Sequence, residues 1–257
     1  MSSQETWKTS ITNIAPNRIL VRGAQIDEMM GKVSFAQAVY LVLKGELPNQ
    51  NEGKMIDAIL VSSIDHGVTP PSTLAARTVA SCGVPLTAAL ASGILAIGSY
   101  HGGAVEDCMR TLLQAVERKA QNKKDFETTA KEIVHESKQN GKKIFGYGHR
   151  VHGQDPRTAK LFKLAEELGF FGDYLQMAKA IEEALFIAQG KRLPLNVDGA
   201  IAALLCEMKF PPELGNAFFI IARIPGLIAH IYEEKIKEKP MRIINPTKWE
   251  YDGPAHL

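Results

Sequence analysis

Apolar residues at helical spacing run through most of this chain, and this pattern constrains its fold more than any other feature of the sequence. The segment Phe35–Lys44 is typical, because its apolar residues recur with the period of a helix and it stops at Gly45. The other predicted helices span residues 55–65, 72–80, 85–97, 105–118, 125–139, 157–168, 173–189, 197–208, 213–224 and 227–237. Strand signals are few, and residues 18–21 alternate only weakly, as one strand of a hairpin would. The sequence therefore predicts an all-α fold, a compact assembly of many helices.

Composition and charge exclude several classes of protein. Apolar residues make up 45% of the 257 positions, enough to bury the core of one domain or of two lobes that share a core. The net charge of +2 is too small to indicate a nucleic-acid partner. The apolar stretch 217–231 is broken by Arg223 and Pro225, so no membrane span is expected, and the polar N-terminus lacks the apolar core of a signal peptide. Three cysteines without paired spacing fit a reducing cytoplasm.

Four ionisable residues stand directly beside glycine in short motifs, where helices end or loops begin. These residues are His66, His101, His149 and Asp198. Glycine allows a loop backbone to approach a ligand without a clash from Cβ, and histidine titrates near neutral pH. The motifs together predict proton-transfer chemistry on a small polar substrate.

The role of Asp198 has two interpretations that the sequence leaves open. A carboxylate at the start of the predicted helix 197–208 can simply cap that helix. It can also act as an acid or base in a partly desolvated cleft.

Three arginines are candidates for binding an anion, because a guanidinium offers a planar fork to a carboxylate. They are Arg157, Arg223 and Arg242. Arg223 interrupts a strongly apolar run, where an unpaired charge is costly. It therefore needs a partner, either an internal acid or a carboxylate of the substrate.

Other kinds of site have weaker support. His149 and His152 form a His-x-x-His pair in a loop, but neither a cysteine nor a third histidine lies near them in the sequence, so a metal site is not expected. The sequence contains neither a Gly-x-Ser-x-Gly elbow nor a Walker loop. Gly146-Tyr147-Gly148 resembles a fragment of a dinucleotide-binding loop but lacks the third glycine.

Taken in order, the motifs resemble those of the citrate synthase superfamily. The matching segments are 20–26, 34–48, 65–67, 101–104, 148–150, 155–157, 196–199 and 223–242. Each motif alone is weak, but the ordered series covers nearly the whole chain. Within the superfamily, the chain is most similar to citryl-CoA lyase and to the C-terminal module of ATP-citrate lyase.

The resemblance implies a catalytic role for three of the residues. His101 would hold the thioester carbonyl oxygen of the acetyl group. Asp198 would exchange a proton with the acetyl methyl carbon. His149 would contact the oxaloacetate carbonyl, which becomes the hydroxyl of the citryl group.

The resemblance also implies which residues bind the substrate. The oxaloacetate or citryl portion would contact His66, Arg157, Arg223 and Arg242, with Arg242 lent by a neighbouring subunit. Coenzyme A, as part of the substrate and product, would lie against Ile144, Phe145, Gly146, Tyr147, Gly148 and Lys191. No tightly bound cofactor and no metal is implied.

The implied architecture is a single citrate synthase-like domain with two lobes. The larger lobe would comprise about residues 1–103 and 223–257, and the smaller lobe about residues 104–222, with the active site in the cleft between them. The chain would form a homo-oligomer. Because it carries no portion that could activate citrate, a citryl-CoA synthetase is a possible functional partner.

Two departures from the superfamily pattern bear on the direction of the reaction. The interval 48–65 is short, as in the module of ATP-citrate lyase, whereas citrate synthases carry a long helical block there. His101 is a synthase-like trait, since that module has phenylalanine at the position. The resemblance predicts cleavage of (3S)-citryl-CoA to acetyl-CoA and oxaloacetate. Synthesis of citrate or 2-methylcitrate is the first alternative, and a non-catalytic module that binds coenzyme A is the second.

Overall fold

The structure is a computed structural model that describes residues 6–148 and 155–243. Near its N-terminus a small antiparallel sheet has the order β1 (Thr12–Ala15), β2 (Arg18–Val21) and β3 (Ala24–Gln25). Ala15 pairs with Arg18 across a tight turn, so the predicted hairpin is confirmed. The rest of the described chain is mostly helical, and the prediction of an all-α fold is also confirmed.

The helices follow the predicted segments closely. In chain order they are α1 (Ile26–Met29), α2 (Phe35–Lys44), α3 (Gln50–Ser62), α4 (Pro71–Ser81), α5 (Leu86–Leu95), α6 (Ala104–Asn122), α7 (Phe126–Gln139), α8 (Pro156–Leu168), α9 (Asp173–Gln189), α10 (Val197–Glu207) and α11 (Gly215–Lys237). Only the four-residue α1 has no counterpart among the predicted helices.

Local capping explains where several helices begin. Ser34 caps α2, and its hydroxyl and the Gln37 side chain exchange hydrogen bonds with each other's backbone. Asn49 and Glu52 form the same arrangement at α3, which therefore starts five residues before the predicted position. α4 begins at Pro71, one residue before the predicted start, where the fixed φ of proline suits the first turn.

The last two predicted helices are one helix in the structure. α11 runs from Gly215 to Lys237 with Pro225 inside it, although a proline in a helix interior costs roughly 3 kcal/mol. Phe218 is fully buried before the proline and Leu227 after it. Burial of apolar side chains on both sides of the proline offsets the lost hydrogen bond, which sequence patterns alone do not reveal.

Contacts divide the chain into two units, of which the first comprises residues 1–65 and 97–223. Its centre is α10, whose residues are all buried except Asp198 and Glu207. Such a helix, apolar on every side, is typical of the middle of a core. The helices α6, α8 and α9 pack against it. The first turn of α10, which carries Asp198, is thereby fixed by the core of this unit.

The second unit comprises residues 66–96 and those from Ile224 onward. In it α4 and α5 pack closely, because Gly93 faces α4: a Cβ at this position would lie 3.0 Å from the Ala76 Cβ. Leu227 and Ile231 of α11 complete this small core.

This grouping differs from the predicted lobes, which placed residues 1–103 with 223–257. The N-terminal segment groups with residues 97–223 because it packs on them. α3 contacts α8, and the Asn51 side chain donates a hydrogen bond of 3.1 Å to the Leu168 carbonyl. The ammonium of Lys44 also donates a hydrogen bond to the carbonyl of Met208.

Within the described ranges, one segment has the length and composition of a membrane span. It is Pro212–Lys237, with a mean hydropathy of 1.5 over its best window, 44% of which is buried. Core helices of globular domains meet the same criterion, so this is weak evidence. The buried Arg223 and Glu234 within it are side chains that lipid would penalise.

Candidate active site

Asn196, not Asp198, caps the N-terminus of α10. Its side-chain oxygen accepts a hydrogen bond of 3.1 Å from the Gly199 amide, and its side-chain nitrogen donates one of 2.9 Å to the Gly148 carbonyl. The Asn196 amide in turn donates to the Gly146 carbonyl at 3.0 Å. One alternative left open by the sequence is thus settled, since the cap is made by the neighbouring asparagine.

The carboxyl group of Asp198 lies among charged residues of the first contact unit. Burial raises its pKa to about 6, although the positive charges of Arg157 and Arg223 oppose the rise. The residue keeps some solvent exposure. A carboxyl group that titrates near neutral pH can either donate or accept a proton under ordinary conditions.

Arg157 is held at this site by Asp155. The Asp155 carboxylate accepts hydrogen bonds from Arg157 Nε at 3.0 Å and Nη2 at 2.8 Å, and also from its backbone amide at 3.0 Å. Asp155 is 1% exposed, whereas the Arg157 side chain is 22% exposed. The guanidinium therefore has a fixed anchor on one side and some access to solvent.

Arg223 is a buried cation, 2% exposed. Its Nε donates a hydrogen bond of 2.9 Å to the Ser63 carbonyl. Its Nη1 is also buried and has no hydrogen-bond partner within residues 6–148 and 155–243. Burial lowers the pKa of Arg223, while the charges of Asp65 and Asp198 act in the opposite direction. The sequence requires a partner for this arginine, and the buried Nη1 is an N–H group that a substrate carboxylate would satisfy.

His101 lies in a tight turn of residues 98–103. The backbone of His101 exchanges hydrogen bonds of 2.8 and 2.9 Å with Gly98. Gly102 has φ +73, and a Cβ there would lie 2.3 Å from the Phe219 ring. The same ring meets the His101 ring edge to face, with centroids 6.0 Å apart. Glycine at position 102 thus permits the contact that places the histidine.

The segment 144–148 lies against the residues that precede α10. The Gly148 amide donates a hydrogen bond of 2.7 Å to the Pro194 carbonyl, and the buried Tyr147 hydroxyl donates one of 3.1 Å to the Ala178 carbonyl. Gly146 has φ +88, and a Cβ there would lie 2.9 Å from Cα of Gly199. The glycine therefore allows the loop to touch α10.

A cavity of about 260 Å³ opens beside this segment. Ile144 and Tyr147 form part of its wall. Three lysines also line it, namely Lys138, Lys142 and Lys143. Of the other predicted residues for coenzyme A, Phe145 is partly exposed and Lys191 is exposed.

The remaining predicted residues belong to the second unit or fall outside the described residues. His66 is an exposed residue of the second unit. Arg242, also in that unit, donates hydrogen bonds of 2.6 and 2.7 Å to the buried carboxylate of Glu234. His149 and His152 fall outside the described residues. The substrate-binding roles of His66 and Arg242 therefore stay predictions.

Sequence reasoning missed several residues that build this site. The sequence could have indicated a role for Asp155, because this residue opens the Asp-Pro-Arg motif that contains Arg157. The lysine pair 142–143 directly precedes the predicted segment for coenzyme A. The sequence does not indicate a role for Phe219 or Ser63, because their contacts join residues far apart in the chain.

As for metals, the part of the chain that the structure describes contains no group of three or more histidine, cysteine, aspartate or glutamate side chains that could hold an ion. The charged groups around Asp198 are instead two arginines and Asp155.

The family model and the relatives that match this chain agree with one another. The family described as "Citrate synthase, C-terminal domain" matches residues 50–247. Citrate synthase of Haloferax volcanii is 34% identical over 241 residues, which cover 92% of this chain and 60% of that protein. A putative citrate synthase 2 of Mycobacterium tuberculosis is also 34% identical, over 76% of this chain and 51% of its own length. The chain therefore spans between half and two thirds of the length of these curated relatives.

Solved structures extend the comparison. Citryl-CoA lyase from Hydrogenobacter thermophilus is 46% identical, with a TM-score of 0.89 over 98% of both chains. ATP citrate lyase from Methanothrix soehngenii, in complex with citrate and coenzyme A, has a TM-score of 0.84 over 99% of this chain and 43% of that chain. At 24% identity the second comparison shows a shared fold alone.

Proposed function

This chain belongs to the citrate synthase family, and from that premise we propose that it cleaves (3S)-citryl-CoA to acetyl-CoA and oxaloacetate. The observation that carries the proposed direction is the match with citryl-CoA lyase from Hydrogenobacter thermophilus, 46% identical over 98% of both chains. The match with Haloferax volcanii citrate synthase, by contrast, covers 60% of that protein.

The proposed reaction begins at the tertiary hydroxyl of the citryl group, whose proton passes to His149. As the carbonyl of oxaloacetate forms, the C–C bond breaks, and its electron pair passes to the acetyl thioester as an enolate. His101 donates a hydrogen bond to the thioester oxygen that gains this charge, and one preorganised donor of this kind contributes roughly 3 kcal/mol. Protonation of the enolate carbon then yields acetyl-CoA.

The environment of Asp198 supports its role as the acid in that last step. With a pKa of about 6, the Asp198 side chain is protonated in part of the protein molecules at about pH 6–7. An ordinary aspartate would be ionised at this pH. Burial is the main cause of the raised pKa. The same group, once ionised, can remove a proton from acetyl-CoA in the reverse reaction.

The arginines support recognition of the four-carbon portion. The two carboxylates that citryl-CoA retains need positive partners as they leave water. Arg223 offers a buried Nη1, and Arg157 offers a guanidinium already anchored by Asp155. In the proposal these two residues hold the substrate carboxylates.

The lysine-lined cavity supports binding of coenzyme A. The phosphate groups of coenzyme A carry several negative charges, which Lys138, Lys142 and Lys143 would attract. Ile144 and Tyr147 form an apolar part of the wall of the same cavity. Coenzyme A would thus lie along the segment 144–148, with Lys191 near it.

A second candidate function is condensation of acetyl-CoA with oxaloacetate, followed by hydrolysis to citrate. The similarity to Haloferax volcanii citrate synthase and the presence of His101 favour it. Hydrolysis of the citryl thioester needs a water molecule held in a closed site, whereas cleavage of citryl-CoA needs none. A homo-oligomeric state, a cytoplasmic location and supply of citryl-CoA by a synthetase remain part of the proposal.

The test is to incubate the purified protein with citryl-CoA and to separate the products. The proposal expects acetyl-CoA and oxaloacetate in equal amounts, with Asp198→Asn as the inactive control. In a second assay, acetyl-CoA and oxaloacetate are supplied with a reagent that reports free thiol. Sustained release of free coenzyme A at a rate comparable with cleavage would identify a synthase. An absence of turnover in both assays would favour a module that only binds coenzyme A.

A further inference from the structure

The carboxylate of Asp155 joins the starts of two helices in the first contact unit. It caps α8, where Oδ1 accepts a hydrogen bond of 3.0 Å from the Arg157 amide. Its Oδ2 accepts a hydrogen bond of 3.2 Å from the amide of Val197, the first residue of α10. Asp155 thereby ties the helix that carries Arg157 to the helix that carries Asp198.

The same carboxylate fixes the orientation of the Arg157 side chain. Nε donates to Oδ1 at 3.0 Å, and Nη2 donates to Oδ2 at 2.8 Å, so one edge of the guanidinium lies against Asp155. Because the guanidinium is planar and rigid, its Nη1 group then points away from Asp155. This is the end that a substrate carboxylate would meet.

We infer that Asp155 is a positioning residue for the proposed reaction: it orients Arg157 toward the four-carbon portion of the substrate and fixes the first turn of α10, which carries Asp198. The inference rests on the proposed function. Asp155 acts through these two residues rather than on the substrate.

Two substitutions separate this role from simple capping. Asparagine has a single acceptor oxygen, so in either orientation its amide nitrogen would face an N–H group of Arg157, donor against donor. The group is Nη2, beside the Val197 amide, in one orientation, and Nε, beside the Arg157 amide, in the other. Serine can still cap α8, but it cannot hold the fork of Arg157. Both variants therefore lose the orientation of Arg157, while Asp155→Ser keeps the helix cap.

The charge of Asp155 supplies a second measurable consequence. Burial is the main cause of the raised pKa of Asp198, and Asp155 adds to the rise. A neutral residue at position 155 lowers the pKa of Asp198, so the limb of the pH–rate profile that belongs to Asp198 moves to lower pH. A residue that merely capped a helix would not move that limb.

Asp125 provides a matched control. It caps α7 in the same way, by accepting a hydrogen bond of 2.7 Å from the Thr128 amide, but it is exposed and lies outside the candidate active site. Serine still caps α7, so Asp125→Ser should keep a Tm close to that of wild type and leave the kinetics unchanged.

The experiment compares wild type, Asp155→Asn, Asp155→Ser and Asp125→Ser. Citryl-CoA cleavage is followed across pH, and oxaloacetate binding is measured by calorimetry. Both Asp155 variants should raise KM for citryl-CoA and Kd for oxaloacetate by about tenfold or more, with the pH limb displaced downward. Adding Asp155→Asn to Arg157→Leu should raise KM little further, since the two residues act as one unit.

An unchanged KM and pH profile in a folded Asp155 variant would overturn the inference. Loss of folding in both Asp155 variants would also overturn it, because the role would then be structural. If wild type fails to cleave citryl-CoA, the proposed function fails instead, and oxaloacetate binding by the same variants still decides the role of Asp155.

Discussion

The guanidinium carbon of Arg223 lies 4.7 Å from the centroid of the Phe219 ring, one turn earlier on α11. The same ring packs edge-on against His101 and occupies the space beside Gly102. A single aromatic side chain thus places both a buried cation and the histidine proposed to hold the thioester oxygen.

Arg223→Leu should weaken oxaloacetate binding by about 1.5–3 kcal/mol, the usual contribution of a charge-assisted hydrogen bond to a carboxylate. Acetyl-CoA affinity should change little, because Arg223 is proposed to contact only the four-carbon portion. Calorimetry with each ligand measures both effects. Arg110→Leu is the control, since Arg110 pairs with Glu106 and Glu213 at the surface. A loss of acetyl-CoA affinity with unchanged oxaloacetate binding would contradict the assignment.

Asp198→Asn should abolish cleavage of citryl-CoA while the fold is kept. The asparagine preserves the size of the side chain but cannot donate a proton to the enolate carbon, and proton transfer of this kind contributes roughly 10²–10⁴-fold to a rate. Single-turnover assays measure the loss, and circular dichroism checks the fold. Turnover close to wild type in the folded variant would place the acid at another residue.

Asp198→Asn should also change how stability depends on pH. The folded-state pKa of Asp198 is about 6, above its ordinary value of 3.8. Between these values the folded protein binds more protons than the unfolded chain, so this group lowers the free energy of unfolding as pH rises. The variant lacks this loss and should gain about 3 kcal/mol relative to wild type above pH 6, and little below pH 4.

Urea unfolding of both proteins at several pH values measures this difference. A stability difference that stays constant between acidic and neutral pH would show that Asp198 titrates normally. The same result would remove the support that the raised pKa gives to the proposed acid.

Gly102→Ala should destabilise the protein and lower kcat together. The new Cβ would lie 2.3 Å from the Phe219 ring, so the ring must move. Movement of the ring disturbs its contact with His101. Overpacking of this kind costs about 1–3 kcal/mol, in addition to the strain of a positive φ. Unfolding by denaturant and the kcat for citryl-CoA report the two effects.

Gly141→Ala separates strain from overpacking. Gly141 also has a positive φ, +61, but a Cβ there would have no heavy atom within 4 Å. This variant should lose about 1 kcal/mol of stability through strain and keep its kcat. Equal effects of the two substitutions would mean that the contact with Phe219 does not matter.

Much of the fold could be predicted because helices are specified locally. The period of the apolar residues and the glycine that ends α2 are written within the segment itself, and its predicted bounds are confirmed. The same holds for α9, whose predicted bounds are also confirmed. The error at α11 has the opposite cause, since tertiary burial around Pro225 overrides a local signal to stop.

Part of the candidate site could likewise be predicted from the sequence, and part could not. The candidate residues His101, Asp198, Arg157 and Arg223 could be singled out because they stand in short motifs whose residue types limit what they can do. Their roles in the reaction stay predictions.

What the sequence by itself determined is the set of helices, because each depends on neighbours within a few positions, and the same short motifs singled out the side chains that are proposed to react. The tertiary structure alone decided that Asn196 caps α10, that Asp155 ties Val197 to Arg157, and that burial raises the pKa of Asp198. The Asp155 and Asp198 effects arise from desolvation and from contacts between residues distant in the chain, and no local pattern encodes where such residues meet.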